Sequence, residues 1–292
     1  MDVELARTFL AVVETGSFFN AAGKVNVTQS TVSMRIRSLE QQLGQPVFER
    51  SKTGASMTTA GRHFQRHATT LVRTWTQAKL DAALPTNLDS VLEIGAPPSL
   101  WDGFLIDAIP TLRSEIPNVA IKASLATSDI LGPQLTDGAL DLAIMYRPQN
   151  TSGLAVQQLF EDEFVLVSSH TDNAVDPMGD SYVLIDWGFE FRAHHLLNFP
   201  QFATPSLQLG IGTLGLQYLR TTPASGYFPR RSIEPEVKAG WLRVIKDAPR
   251  FSYAAYAVFS ESQIDGVAGQ AARLMRRYAR ESLNVSAEIE ET

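Results

Sequence analysis

The chain has 292 residues, of which 44% are hydrophobic and none is cysteine, and its formal net charge is −6. This length and composition allow one large core or two to three smaller ones, and the lack of cysteine excludes a disulfide framework, a thiolate nucleophile and a cysteine-held metal. No basic segment precedes the first apolar run, and eighteen apolar residues never occur together. We therefore expect a cytoplasmic chain that is neither exported nor membrane-spanning.

The charge is divided unevenly along the chain. Residues 1–87 contain ten lysines and arginines against six acidic residues, a net charge of +4, whereas residues 88–292 contain fifteen against twenty-five, a net charge of −10. Only the first third is electrostatically suited to a polyanion, and the remainder would repel one. This division indicates two functions in one chain.

Three helices are predicted at the front of the chain. Residues 3–15 repeat apolar side chains at helical spacing, and Gly16 is expected to end this helix. Ser17 is placed to cap a second helix, FFNAAGKV, and a turn at Asn26 and Val27 leads into the third. Two short helices joined by a turn make a helix-turn-helix, whose second helix enters the major groove of DNA.

The third helix, residues 28–44, is predicted to contact DNA. Thr28 suits an N-cap, and Gly44 suits the left-handed residue just past the helix end. One face is apolar and we expect it to be buried: Val32, Ile36, Leu39 and Leu43. The opposite face is short-chained, hydrogen-bonding and cationic, a chemistry that suits the major groove but that an ordinary solvated face shares: Ser30, Ser33, Met34, Arg37 and Gln41.

A hairpin is predicted after this helix. Residues 46–50 indicate a strand, 51–55 a glycine-containing turn and 56–58 a return strand. Such a wing would bring Arg50 and Lys52 to a phosphate or to the adjacent minor groove, although each taken alone is equally an ordinary surface charge.

Residues 59–84 are predicted to form one long helix with a heptad repeat, which calls for a partner helix. Its repeating positions are Phe64, Ala68, Leu71, Trp75, Ala78 and Ala82. We therefore expect a dimer whose two recognition helices bind an interrupted palindrome. His63 and His67 have a spacing that can bind zinc, but without a third ligand nearby we expect them to face solvent or phosphate, and we expect no metal.

Beyond a linker at residues 85–90, apolar strands alternate with helices, which predicts a parallel sheet with helices on both sides and two α/β lobes around a cleft. We expect three regions: residues 1–58, 59–87 and 88–292. Within the last, lobe I takes about 88–162 with 266–292, and lobe II about 163–265. The predicted strands are 91–96, 119–126, 141–146, 155–160, 164–169, 182–187, 206–209 and 252–259, and the predicted helices 98–115, 128–138, 189–198, 211–220 and 265–283.

The first 65 or so residues resemble the DNA-binding domain of LysR-type transcriptional regulators, and residues 135–144 resemble that family's effector domain. The matching positions at the front are Phe9-Leu10, Glu14, Gly16-Ser17-Phe18, Ala21-Ala22, Gln29-Ser30, Val32-Ser33, Ile36, Leu39-Glu40, Leu43-Gly44, Phe48, Arg50, Thr58 and Ala60-Gly61. Ser99-Leu100-Trp101 resembles the subgroup that contains a regulator of the flagellar master operon.

The resemblance implies an α/β protein with a winged helix-turn-helix, a dimerising linker helix, often a tetramer, and a small-molecule cleft between two Rossmann-like lobes of the periplasmic-binding-protein type. RNA polymerase is a further possible partner. We expect DNA contacts from Thr28, Gln29, Ser30, Thr31, Ser33, Met34, Arg35, Arg37, Arg50 and Lys52. Position 34 is often longer and polar or basic in the family, so we hypothesise that Met34 packs on a thymine methyl or shields the interface.

The resemblance also points to the regions of the effector site. Ser99 follows the first strand, where helix amides favour an anion or a polar head group, although plain N-caps would show the same residues. The expected effector residues are Ser99, Leu100, Trp101, Ser128, Thr204, Pro205 and Ser206. Trp101 and Trp187 could line a cleft wall, but we expect core positions.

We find no catalytic cluster and expect neither an enzyme nor a cofactor. Residues 210–215 match G-x-G-x-x-G, but they lie too late in the chain for a dinucleotide fold. Residues 161–163, Glu-Asp-Glu, are expected to form a solvated loop, and His194 and His195 to point to different helix faces.

We predict a DNA-binding transcriptional regulator that responds to a small molecule. The alternatives are a DNA-binding protein whose ligand-free effector domain serves only oligomerisation, and an α/β enzyme or binding protein fused to a DNA module.

Overall fold

A computed structural model describes residues 2–51, 54–172, 174–202 and 205–288. The chain divides into two compact units, residues 1–90 with 137–139, and residues 91–136 with 140–292. Among the described residues, no helix is long and apolar enough to cross a membrane.

The N-terminal unit is mainly helical. Its elements are α1 (Val3–Thr15), α2 (Phe18–Lys24), α3 (Gln29–Leu43), β1 (Phe48–Ser51), β2 (Gly54–Met57) and α4 (Thr59–Ala82). Ser17 and Thr28 cap α2 and α3, and Gly16 and Gly44 take the left-handed conformation at the ends of α1 and α3, as predicted. Asn26 has a φ of 53° in the turn that joins the two helices of the helix-turn-helix.

Aromatic rings from distant segments form the centre of the N-terminal core. Phe9 of α1 lies with its ring centroid 5.1 Å from those of Phe48 and Phe64, so α1 joins the hairpin to α4. On α3, the predicted apolar positions 32, 36 and 39 are buried. Leu43 was expected to be buried with them but is 39% exposed, because it lies in the last turn of α3 and outside this core.

The hairpin forms, with shifted boundaries. Its strands β1 and β2 pair antiparallel from Phe48 opposite Met57, so residues 46 and 47 precede the first strand and residue 58 follows the second. Thr58 instead caps α4, since its hydroxyl accepts from the Gly61 amide at 3.0 Å and donates to the Pro46 carbonyl at 2.7 Å.

The C-terminal unit is a mixed α/β structure. Its strands are β3 (Ser90–Ala96), β4 (Val119–Leu125), β5 (Leu142–Met145), β6 (Leu154–Ser168), β7 (Leu184–Ile185), β8 (Gln208–Leu209), β9 (Ser225–Pro229), β10 (Arg243–Val244) and β11 (Phe251–Ser260). Its helices are α5 (Pro98–Leu100), α6 (Ile106–Glu115), α7 (Ser128–Thr136), α8 (Phe189–Asn198), α9 (Gly212–Thr221), α10 (Arg230–Lys238) and α11 (Val267–Glu288).

The main sheet has seven strands in the order β10-β6-β11-β5-β3-β4, with β9 also paired to β6. The expectation of a parallel sheet is wrong, because β11 runs antiparallel to both β5 and β6, while β3 and β5 are parallel. The predicted strands at 155–160 and 164–169 are one strand, β6. The acidic residues 161–163 continue its ladder opposite residues 252–254, so the expected solvated loop is also wrong.

Two further differences have local causes. The predicted helix 98–115 is broken by a kink, because Asp102 has an extended backbone (φ −74°, ψ 124°) and Gly103 lies in the left-handed region at a φ of 68°. β9 and α10 were not predicted, since β9 contains Gly226 and α10 contains Pro235, residues that normally indicate turns.

The C-terminal unit has separate cores on the two halves of its long strands. One core, which we call the core of lobe I, joins Leu92, Ile94, Phe104 and Ala257 to α11. The core of lobe II gathers Val165, Ile185 and Phe228 with α9 and α10. β6 and β11 pass through both lobes. A cleft lies between the two lobes.

Candidate functional site

The outer face of α3 presents the polar side chains expected of a DNA-contacting surface. Gln29, Ser30 and Arg37 are exposed, and Thr31 and Ser33 are half-buried. Met34 is 62% exposed at the middle of this face. The Thr28 hydroxyl accepts from the Thr31 amide at 3.2 Å and lies 2.8 Å from the Ser30 hydroxyl, which orders the start of the helix.

Arg35 differs from the other expected DNA contacts. Its Nη1 donates to the Thr8 hydroxyl at 3.1 Å and lies 3.4 Å from the Glu4 carboxylate. Both partners belong to α1, so this half-buried side chain joins α3 to α1 rather than pointing outward.

The wing is fixed to the body of the N-terminal unit at two places. The Glu40 carboxylate of α3 accepts from the Val47 amide at 2.9 Å, and the Ala55 amide donates to the Gly16 carbonyl at 2.9 Å. A Cβ at residue 54 would lie 2.7 Å from that carbonyl, so the close approach requires glycine. Arg50 lies in β1 opposite Ala55, and Lys52 lies outside the described residues.

The heptad positions of α4 fall into two groups. Phe64 and Ala68 are buried in the N-terminal core and are therefore occupied within one chain. Leu71 and Trp75 are 39% and 49% exposed, and Ala78 is exposed as well. His63 and His67 are exposed, as expected, and the described residues contain no group of three side chains able to hold a metal ion.

The C-terminal unit contains a cleft of about 880 Å³. The starts of four helices surround it, at Ser99 in α5, Ser128 in α7, Phe189 in α8 and Gly212 in α9. Four of its charged side chains form two ion pairs. Arg192 lies 2.5 Å from Asp186, and Arg147 lies 3.9 Å from Glu190. Asp129 also lines the cleft.

Of the expected effector residues, Ser99 and Ser128 line this cleft. Leu100 is wholly buried in the core of lobe I, and the Trp101 indole packs on that core and donates to the Ser124 carbonyl at 3.0 Å, so neither faces the cleft. Pro205 and Ser206 are not among its lining residues, and Thr204 lies outside the described residues.

Sequence reasoning missed the charged cleft residues Arg147, Asp186, Glu190 and Arg192. A signal for two of them was present, because Arg147 and Asp186 stand at the carboxyl ends of predicted strands, where ligands bind in α/β folds. No sequence signal pairs them with Glu190 and Arg192.

Close packing explains the G-x-G-x-x-G sequence. A Cβ at residue 212 would lie 2.1 Å from the Trp187 ring, and one at residue 215 would lie 2.1 Å from Ile185. Trp187 lines the cleft, packs on the core of lobe II and donates its indole N–H to the Tyr227 carbonyl at 2.7 Å, so it is both a core and a cleft residue. The glycines thus allow α9 to lie against Trp187 and Ile185.

A buried polar group lies behind the cleft wall at Tyr146. The Tyr146 hydroxyl donates to the Asp162 carboxylate at 2.7 Å, and Arg231 lies 2.9 Å from the same carboxylate. Burial, together with the charge of Asp162, raises the pKa of Tyr146 well above its ordinary value, so this phenol stays protonated. The Ser99 hydroxyl is buried beside the phenol.

His194 and His195 occupy different faces of α8, as predicted. The buried His195 lies 2.7 Å from the Tyr182 hydroxyl through Nε2. The exposed His194 stacks on Tyr253 at a ring centroid distance of 5.7 Å.

Comparison with known proteins gives matches over nearly the whole chain. The model of the bacterial regulatory helix-turn-helix protein of the lysR family matches residues 3–62, and that of the LysR substrate binding domain matches residues 86–284. The HTH-type transcriptional regulator HdfR of Yersinia enterocolitica is 34% identical over 241 residues, which cover 78% of this chain and 81% of that protein.

Solved structures show the same fold. ArgP from Mycobacterium tuberculosis superposes with a TM-score of 0.61 at 21% identity, covering 94% of this chain and 97% of that one. Vibrio fischeri DarR, solved in complex with DNA, superposes with a TM-score of 0.57 at 18% identity, covering 94% of this chain and 98% of that one. The resemblance found in the sequence is confirmed: this chain belongs to the LysR family and is a DNA-binding transcriptional regulator rather than an enzyme.

Proposed function

We propose that the chain binds an interrupted palindrome in double-stranded DNA as a dimer or a tetramer of two dimers, and that a small molecule in the cleft alters this binding. The observation that carries the DNA part is the outer face of α3, which is exposed, polar and cationic and lies in a unit of net positive charge. A protein with this function works where the chromosome is, which supports a cytoplasmic location.

The proposed DNA contacts are those of the outer face of α3 and of the wing. Met34 is the apolar member of this surface, and we propose that it packs on a thymine methyl group. Met34→Arg should then change the base preference at one position in each operator half-site, measured by binding to a library of half-site variants. An unchanged preference at every position would contradict the thymine contact.

The proposed dimer interface is the exposed part of the α4 heptad: Leu71, Trp75 and Ala78. A half-exposed tryptophan beside a leucine on one helix face supports a partner helix there. We propose the division of the chain at residues 58 and 87, with α4 as the link between the DNA-binding domain and the effector domain.

The proposed ligand site is the cleft. Its volume of about 880 Å³ lies in the range of small-molecule pockets, and it combines charged side chains with the free amides of helix starts. A ligand that binds one arrangement of the lobes better than another shifts the population toward it, and this would change DNA bending and the access of RNA polymerase.

Footprinting of the operator while candidate metabolites are titrated tests the sensing proposal. We expect one metabolite to change the protected region, and an identical footprint at saturating ligand would contradict sensing. In that case the effector domain would serve oligomerisation alone, a function that a dry, apolar cleft would favour. The five charged side chains of this cleft favour ligand binding instead.

A further inference from the structure

Arg231 is a buried arginine that connects the two lobes of the C-terminal unit. It lies at the start of α10, whose Ile233 is part of the core of lobe II. Its guanidinium, only 7% exposed, donates to the main-chain carbonyls of Ser99 and Asp102 in lobe I. The Arg231 side chain therefore reaches from lobe II to the main chain of lobe I and can fix the position of that main chain.

The same guanidinium lies behind the cleft residue Tyr146. Its Nη2 lies 2.9 Å from the Asp162 carboxylate and 3.4 Å from the Tyr146 hydroxyl, and Tyr146 lines the cleft. Asp162 lies in β6, one of the two strands that pass through both lobes. Arg231 thus touches lobe I, lobe II and the strand between them.

The backbone of lobe I is shaped to receive this side chain. A kink at Asp102 and Gly103, where Gly103 has a φ of 68°, directs the Asp102 carbonyl toward Arg231, and the Ser99 carbonyl reaches it from α5. A Cβ at residue 103 would lie 3.3 Å from Arg231 Nη1 and 3.1 Å from Ser232 Cα. An ordinary helical turn with a side chain here could not approach α10 so closely.

Only an arginine can make this set of contacts. Its planar guanidinium presents donors in fixed directions to two carbonyls and a carboxylate at once, whereas a lysine ammonium is a single point of charge. Removing it would leave the Asp162 carboxylate buried without its cation and would free both carbonyls.

We propose that Arg231 is the positioning residue of the cleft. By holding the carbonyls of Ser99 and Asp102 against the Tyr146–Asp162 pair, it sets the separation of the two lobes and the place of the Ser99 hydroxyl. The inference rests on the proposed function only in taking the cleft as the ligand site.

Distance measurement between spin labels tests the proposal on the full-length chain without any ligand. The chain has no cysteine, so Ser114→Cys on α6 and Gln217→Cys on α9 give one exposed label on each lobe. Labelled chains are diluted with unlabelled ones so that only distances within one chain are recorded. We expect Arg231→Gln to shift or broaden the distance distribution by more than about 2 Å, the scale of a domain rearrangement.

Arg250→Gln is the matched control. Arg250 bonds Glu163, the neighbour of Asp162, at 3.2 Å and is exposed. Both residues of that pair belong to lobe II as defined by the sequence, so its loss should leave the distance unchanged. Arg231→Lys keeps the charge beside Asp162, and we expect it to shift the distance as Arg231→Gln does.

Three results would overturn the proposal. The distance could stay unchanged in Arg231→Gln below its melting temperature, which would make Arg231 merely stabilising. Arg231→Lys could behave like the wild type, which would make charge neutralisation sufficient. Arg250→Gln could shift the distance equally. Should Arg231→Gln not fold, Arg231→Lys alone decides. A failure of ligand sensing would appear in the footprint titration and would leave these distances unaffected.

Discussion

Arg35 and Arg37 stand two residues apart on α3 and have opposite surroundings. Two residues correspond to about 200° on a helix, so the two side chains lie on opposite sides. Arg35 bonds Thr8 and Glu4 of α1, whereas Arg37 is exposed. The family resemblance assigned DNA contact to both, because it compares residue types and not the neighbours that each residue meets after folding.

These surroundings predict different effects for two matched substitutions. Arg37→Ala should weaken operator binding and reduce the slope of log affinity against log salt concentration by about 1, because one phosphate contact is lost. Arg35→Ala should lower the free energy of unfolding by about 1 kcal/mol with the salt slope unchanged. Fluorescence anisotropy at several salt concentrations and urea unfolding measure both. A reduced slope in Arg35→Ala would show that Arg35 contacts phosphate.

His195 predicts a loss of stability in weak acid. Burial lowers the pKa of its imidazole to about 4, whereas the unfolded chain takes up that proton near pH 6.5. Between these values the unfolded chain binds more protons, so the free energy of unfolding falls as the pH falls.

His195→Gln removes this titration and leaves the other groups in place. We expect the stability difference between wild type and variant, measured by urea unfolding, to shrink by about 1 to 2 kcal/mol from pH 7 to pH 5. An equal difference at both pH values would mean that folding does not change the pKa of His195.

At the scale of elements, α4 shows what a heptad repeat predicts and what it does not. The heptad spacing is real, but its first two apolar positions are buried in the N-terminal core and only the later ones remain for a partner. Periodicity identifies the apolar face of a helix and cannot tell which molecule covers it.

The exposed part of α4 predicts a weakened dimer in Trp75→Asp. Burying a carboxylate between two helices should raise the dimer dissociation constant roughly 30-fold or more, about 2 kcal/mol, and abolish tight binding to the paired half-sites. Sedimentation equilibrium measures the constant, and Thr74→Asp, an exposed neighbour outside the heptad positions, is the control. Equal effects of the two substitutions would place the interface elsewhere.

The acidic residues 161–163 show what the sequence does not reveal about strands. Three consecutive charges favour a loop, yet β6 continues through them because Asp162 meets Arg231 while Glu163 meets Arg230 and Arg250. Each of these partners lies 67 or more residues further along the chain. Local pattern located most elements, and at residues 161–163 it failed because the charges are neutralised by distant residues.

At the scale of the whole molecule, the chain has two compact units with separate cores, and this predicts two unfolding transitions. Phe9→Ala, in the N-terminal core, should lower the temperature of one transition, since such a truncation costs about 3 to 5 kcal/mol. Phe104→Ala, in the core of lobe I, should lower the other. Calorimetry of the full chain checks both, and a single transition shifted by either change would show that the units unfold together.

The charge alone indicated that the chain has two parts, because residues 1–87 have a net charge of +4 and residues 88–292 have a net charge of −10. The helix-turn-helix was equally accessible, since its caps and apolar positions are local. A cleft between two lobes was predicted too, but of its expected residues only Ser99 and Ser128 line it, because the lining comes from segments between residues 97 and 212 that only the tertiary fold brings together.

The contact between Gly212 and Trp187 restricts how this cleft can change in evolution. Any side chain at residue 212 would displace the indole and disturb the core of lobe II beneath it, so that position is closed to variation. A change of ligand preference has to arise at lining positions that do not also support a core, such as the exposed Phe189 and Ile211. Paralogues that recognise different molecules with the same architecture should therefore diverge at these two positions while keeping the glycine.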